Sequence, residues 1–179
     1  MARVPYPEMP EHLLAAFPMD KPLNVVRMLA HAEGVWASYL KTGSALLTRI
    51  ALPPRLRELV ILRVAHLQVA PYELAQHEPL ARAYGVTDEE LAALEIGAKL
   101  ADGAFDDIEL AALELVTEMI TEKDAADRTF DRAYAALGDR GTVELLLLAV
   151  QYAGLALFLN TLRVDVDVDT RPTLPHLDR

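Results

Sequence analysis

A chain of 179 residues, 53% hydrophobic and 25% charged, has the composition of one globular domain with a single sizeable core. Its formal net charge of −10, with no basic cluster to offset it, repels phosphate backbones and argues against a nucleic-acid partner. The chain contains no cysteine, which excludes disulfides, thiolate nucleophiles, zinc–thiolate sites and dithiol redox chemistry from its own side chains.

Residues 1–21 are Pro-rich, with one short helical piece around "EHLLAAF", and read as an arm lying on the body. The opening "MARVPYPEMPEHLL" places prolines and glutamates where a signal peptide needs an apolar stretch, so a cytoplasmic setting is expected. "PLNVVRMLAHAEGVWASYLKTGSALL" (22–47) predicts one or two amphipathic helices interrupted near Gly34. "PPRLRELVILRVAHLQV" (53–69) opens with two prolines, which the first turn of a helix tolerates. "PYELAQHEPLARAYG" (71–85) begins at a proline and stops at Gly85, with a kink or an early end expected at Pro79.

"TDEELAAL" carries a capping box, Thr87 to Glu90, that opens a short helix ending by Gly97. "DDIELAALELVTEMITE" (106–122) follows, with aspartates at its positive end. "RTFDRAYAALG" (128–138) predicts one more helix, and "GTVELLLLAVQYAGLALFLNTL" (141–162) the last and most buried. The longest apolar run, 145–159, is shorter than the roughly 20 residues a bilayer demands and contains Gln151 and Gly154. A core helix and no membrane are expected. Period-two alternation is confined to "RVDVDVD" near the end, which reads as an exposed strand or extended tail. Its aspartates do not make a calcium loop, because Thr170 and His176 stand where Gly and Glu are required. Seven or eight helices without a real sheet make the fold class all-α. One helical domain over 22–163 is expected, between the arm and a tail at 164–179.

The candidate chemistry rests on carboxylates and imidazoles. Glu58, in "RLRELVILR", has Ile61, Leu62 and Ala65 as helical neighbours on its own face. A glutamate there must be paired, protonated or at a pocket edge; a local salt bridge to Arg55 or Arg57 is the simplest account. Glu73 and His77, in "YELAQH", stand at i and i+4 and share one helix face. As a solvated pair they would contribute only about a few tenths of a kcal/mol. His77 nevertheless has the proton affinity for transfer near neutral pH. His66 reads as structural, His31 lies near a helix end where a cation suits the dipole, and His12 and His176 lie in the terminal segments. No HExxH spacing occurs, so neither a metal nor a cofactor is expected. There is no Gly-rich phosphate loop and no GxSxG, and the serines are Ser38 and Ser44 alone.

"RLRELVILRVAHLQVAPYELAQHEPLARAYGVTDEELAAL" (55–94) resembles the core of the carboxymuconolactone decarboxylase family, which includes the alkylhydroperoxidase D-like proteins. The resemblance extends upstream through "PLNVVRMLAHAEGVWASYLKTGSALL" and more weakly into "ELLLLAVQYAGLALFLNTLRVDVD". It implies an alkylhydroperoxidase D-like helical bundle and an assembly as trimers or trimer-based hexamers, with the N-terminal arm reaching a neighbour. The peroxidase branch carries a glutamate, a CxxC pair and a histidine four residues after the second cysteine. That spacing sets the glutamate on Glu58, the histidine on His77, and the thiol positions on Ala70 and Glu73.

The resemblance therefore implies an acid–base pocket while the missing thiols withdraw the hydroperoxidase chemistry. The decarboxylase branch acts without metal or organic cofactor. Its pattern implies that His77 is an acid or base tuned by Glu58, with Glu73 adding a negative charge beside it. Two functions remain open at this level: an acid–base enzyme (decarboxylase, isomerase or lactone ring-opener) on a small organic acid or lactone, or a non-catalytic oligomer that binds a ligand or partner. Trp36, Tyr39, Leu67 and Tyr72 are the expected lining of the cavity.

Overall fold

The computed structural model describes residues 1–16 and 21–167. Among these there are eight α-helices and no strand. They are α1 (Glu11–Ala16), α2 (Asn24–Leu29), α3 (Glu33–Thr48), α4 (Pro54–Leu67), α5 (Pro71–Ala83), α6 (Asp88–Ala93), α7 (Asp107–Glu122) and α8 (Asp127–Leu162), with a 3-10 turn at Leu100–Asp102. The all-α class is thus the observed one.

The bundle is organised around α4. Pro53 and Pro54 start it, where missing N–H groups leave nothing unpaired. From Leu56 to Ala65 every residue is buried, because α5, α7 and α8 pack around it. Leu59, Ile61 and Leu62 are fully enclosed, and truncating any one to Ala would cost about 2–5 kcal/mol. Such a helix cannot carry a charge without a partner. Arg57 donates from Nη1 to the Leu52 carbonyl at 3.0 Å, and Arg63 donates to Thr117 Oγ1 at 2.9 Å and to the Leu94 carbonyl at 2.9 Å. Glu58 is the remaining buried charge on α4.

Arg55, in the first turn of α4, ties down the starts of two other helices. Both α6 and α7 open with capping boxes, at Thr87–Glu90 and Asp106–Glu109. Arg55 donates from Nη2 to Glu90 Oε1 at 2.6 Å and from Nε to Glu109 Oε1 at 2.8 Å. The two box glutamates are therefore used twice, once for a helix end and once for tertiary packing.

Between α4 and α5 the chain turns within three residues. Val69 takes a left-handed φ of 50°, strained for a β-branched residue, and the Ala70 N–H bonds the Ala65 carbonyl at 2.8 Å. Asn160 of α8 holds the turn by donating from Nδ2 to the Gln68 and Val69 carbonyls. The turn folds α5 back along α4 and sets their facing residues in register.

The two helices expected at 128–138 and 141–162 are both present and meet within α8 across a kink at Gly138 (φ 66°, ψ −177°). Two expectations change. Helix α5 runs through Pro79 to Ala83 rather than ending early, and Gly85 (φ 84°) follows its C-cap at Tyr84. Nor is α8 buried all round. Leu145, Leu148, Tyr152 and Leu159 face the core, whereas Val143, Leu147, Val150 and Leu157 are each more than half exposed. By length and composition α8 is apolar enough to cross a membrane, with 39% of its most apolar window buried against the rest of the chain. Apolar residues on both faces left the sequence no signal for which face packs.

The alternating aspartates also resolve differently. Where described, they form no strand but act as a latch. Asp165 accepts from the chain's amino terminus, the Ala2 N–H and the Tyr6 hydroxyl; Asp167 accepts from the Tyr72 hydroxyl at 2.6 Å and the Asn24 N–H at 3.0 Å. Residues 2–6 dock on the end of their own α8, the Arg3 N–H bonding the Leu162 carbonyl. Asp169, Thr170 and His176 lie outside the described residues.

Candidate functional site

The fold brings Glu58 of α4 and His77 of α5 into direct contact. His77 Nδ1 lies 2.7 Å from Glu58 Oε2, with side chains 8% and 3% exposed. An ionised carboxylate only accepts, so Nδ1 carries the proton and Nε2 is left as the second titrating position. Nε2 lies 3.5 Å from Glu73 Oε2, one helical turn earlier on α5. Glu73 is itself buried, and its Oε1 has no hydrogen-bond partner. Three ionisable groups therefore meet in a water-poor interior. The expected Glu58–His77 approach is present. The surface-pair reading of Glu73 and His77 and the Arg55/Arg57 reading of Glu58 both fail, because the two arginines have other acceptors.

Burial and charge oppose each other here. Burial alone would push the His77 pKa down. The Glu58 hydrogen bond and the charges of Glu58 and Glu73 outweigh it and hold the imidazole above its ordinary value. Glu73 is pushed up, chiefly by burial, with the Glu58 charge adding to the rise and His77 opposing it. A proton is thus favoured on both His77 and Glu73, and the unpartnered Oε1 is free to carry it toward a third group.

Beside the cluster lies a cavity of about 500 Å³, within the range of small-molecule sites. Its wall is mainly apolar: Val26, Leu29, Leu40, Leu47 and Leu155, from α2, α3 and α8. Polar groups come from Tyr39, Ser44, Gln151 and Tyr152. Glu58, Glu73 and His77 are not in the lining. Tyr152 stands between, lining the cavity while its ring meets the His77 imidazole edge to face, with centroids 5.1 Å apart. Burial and then the charges of Glu73 and Glu58 push the Tyr152 hydroxyl well above its usual range, so it is a neutral donor near neutral pH.

Of the four expected lining residues, Tyr39 takes that position. Trp36 is fully buried and donates from Nε1 to the Val26 carbonyl at 3.0 Å. Tyr72 is committed to Asp167 and accepts from the Val25 N–H, and Leu67 packs on the main core. Tyr152 and Gln151 escaped the sequence reading. The available signal was a phenol and an amide inside the apolar run 145–159, whose other residues are Leu, Ala and Val with Gly154 and Phe158. A second groove, of about 580 Å³ between α7 and α8, is lined by Glu114, Glu118, Arg128 and Arg132 and does not touch the cluster.

Residues 35–118 match the sequence model of the Carboxymuconolactone decarboxylase family. The match spans just under half of the chain, which contains no cysteine. The helical bundle is that of the alkylhydroperoxidase D-like proteins. An uncharacterised peroxidase-related protein with an alkylhydroperoxidase AhpD core from Ralstonia eutropha JMP134 superposes with a TM-score of 0.78 at 15% identity, covering 93% of both chains. Another, from Silicibacter sp. TM1040, gives 0.80 at 12% identity over 93% of this chain and 92% of that one. The debrominase Bmp8, solved in complex with 2,3,4-tribromopyrrole, gives 0.76 at 12% identity over 99% and 100%. No curated protein matches the chain by sequence. At such identities the structures show the fold alone. Within the carboxymuconolactone decarboxylase pattern, the two thiol positions are held by Ala70, fully buried at the N-cap of α5, and by buried Glu73.

Proposed function

We propose that this chain is a cofactor-free acid–base enzyme acting on a small organic acid or lactone by decarboxylation, isomerisation or ring opening. The observation that supports this best is the buried Glu58–His77 contact of 2.7 Å with Glu73 on the other imidazole nitrogen. Buried ion pairs are poor stabilisers compared with apolar packing, so a three-group cluster beside a cavity favours a working site. In this reading Glu58 holds the His77 tautomer, and His77 and Glu73 exchange the proton. The Tyr152 hydroxyl presents it to the ligand and stabilises charge developing on a carbonyl oxygen. A thiol peroxidase cycle has no thiol to begin from, since the chain has no cysteine.

The test is solvent exchange. A panel of γ- and δ-lactones and 3-keto acids is incubated with the protein in deuterium oxide, and deuterium at the carbon next to the carbonyl is followed by NMR. Faster exchange than in buffer is expected, falling by about 10²- to 10⁴-fold in His77→Asn. Exchange no faster than in buffer for the whole panel defeats this reading. It would leave the alternative, a non-catalytic ligand- or partner-binding protein, which the sealing of Glu58 and His77 behind Tyr152 favours. We also propose a homotrimer or trimer-based hexamer. The exposed Val143, Leu147, Val150 and Leu157 stripe supports it, and light scattering at micromolar concentration tests it.

A further inference from the structure

The cavity has a charge character that narrows the ligand. Among the described residues that line it, none carries a formal charge, and the apolar side chains outnumber the polar ones. Gln151 and Tyr152 are adjacent on α8, and Tyr39, Ser44 and Thr48 lie on α3. The two phenols are thus uncharged hydroxyl donors in a mostly hydrocarbon wall.

No side chain on that wall could pair with a ligand anion, which would have to shed its hydration without a partner. An uncharged carbonyl oxygen would instead meet hydroxyl donors. Carboxylate burial without a cation is strongly disfavoured, whereas a carbonyl needs only a hydrogen bond.

We infer that the cavity takes a neutral, mostly hydrocarbon carbonyl compound, a lactone or ketone and not a free carboxylate, with its carbonyl oxygen on the Tyr39 and Tyr152 hydroxyls. This rests on the acid–base reading for its chemistry, but the binding claim is separable from it. For a lactone the same uncharged wall assists release. Ring opening adds one water across the acyl carbon–oxygen bond, and the hydroxy acid formed loses a proton to become an anion that the cavity disfavours.

The experiment is calorimetric titration of the full chain with two matched probes at pH 7.5, γ-nonalactone and its ring-opened 4-hydroxynonanoate. The lactone is expected to bind at least about 10-fold more tightly than the hydroxy acid. Gly43→Leu locates the site. Gly43 lies on α3 in the cavity wall, and a Cβ added there meets nothing within 4 Å. Leucine is also the better helix former, so this variant should hold its melting temperature while losing lactone binding. Tyr152→Phe should weaken the lactone about 5- to 10-fold and leave the weak hydroxy-acid binding unchanged. Equal or tighter binding of the hydroxy acid overturns the inference. So does absence of lactone binding, or lactone binding that survives Gly43→Leu. Lactone binding without deuterium exchange would defeat the acid–base reading alone; preferential binding and turnover of an acid would defeat this inference alone.

Discussion

Replacing Glu58 tests whether the buried contact with His77 has the energetics its geometry implies. Both side chains are under a tenth exposed and 2.7 Å apart, so solvent screening is weak. Removing one partner of a buried pair, as in Glu58→Ala, strands the other and costs about 3–5 kcal/mol. For a chain of this length each kcal/mol moves the melting temperature by about 2–4 °C, so a fall of about 6–20 °C is expected. Glu58→Gln retains an acceptor for the Nδ1 proton and should fall less.

The pH dependence is the sharper signature. His77 has a folded-state pKa above its ordinary value of 6.5, so its contribution is complete below that value and is lost as pH rises through the folded pKa. The stability gap between wild type and Glu58→Gln should therefore be widest near pH 6 and narrow toward pH 9. It should not close, because neutral imidazole still donates from Nδ1. Urea unfolding followed by circular dichroism at the two pH values measures it. A gap that is constant or widens with pH would refute the assignment of Glu58 as the group that holds His77 protonated.

Gly138→Ala should destabilise by about 1–3 kcal/mol although its Cβ would have open space, since φ 66° with ψ −177° is a region essentially reserved for glycine. Thermal unfolding checks this, and an unchanged melting temperature would mean α8 is not broken there. Arg55→Ala should shift acid unfolding to higher pH. Burial tends to raise the Glu90 pKa, but the Arg55 and Thr87 hydrogen bonds hold it below 4.5, so its contribution is present above that value and lost as pH falls through the folded pKa. An acid titration of ellipticity reads the midpoint. Finally, the purified chain with a dithiol and an alkyl hydroperoxide should consume peroxide no faster than buffer, whereas Ala70→Cys with Glu73→Cys restores the spacing for a sulfenate and its resolving thiol. Robust dithiol-dependent turnover by the unmodified chain, surviving metal chelation, would contradict the chemistry argued from its composition.

The local features were legible in the sequence because their causes act within a turn or two. Pro53 and Pro54 start α4, Thr87 with Glu90 starts α6, and Gly85 follows the end of α5, each through backbone groups a few residues away. The separation of Glu58 and His77 was also informative. Two helices joined by a three-residue turn fold back on each other, which brings residues a few turns either side of it together. Other outcomes depended on distances that no spacing encodes. Arg55 is three residues from Glu58 yet pairs with Glu90 and Glu109, since packing of α6 and α7 on α4 carries their caps to it. Pro79 ended nothing, because α5 continues to Ala83 within the packed bundle. Asp165 and Asp167 became latches only once the N-terminal residues and α2 arrived beside them. Tyr152, one aromatic among the leucines of α8, gained its position from the cavity on one side and His77 on the other. Hydrophobic burial sets which face of a helix turns inward, and several inward faces of α8 were equally apolar. Long-range packing chose among them, and that choice placed a phenol between the buried cluster and the cavity.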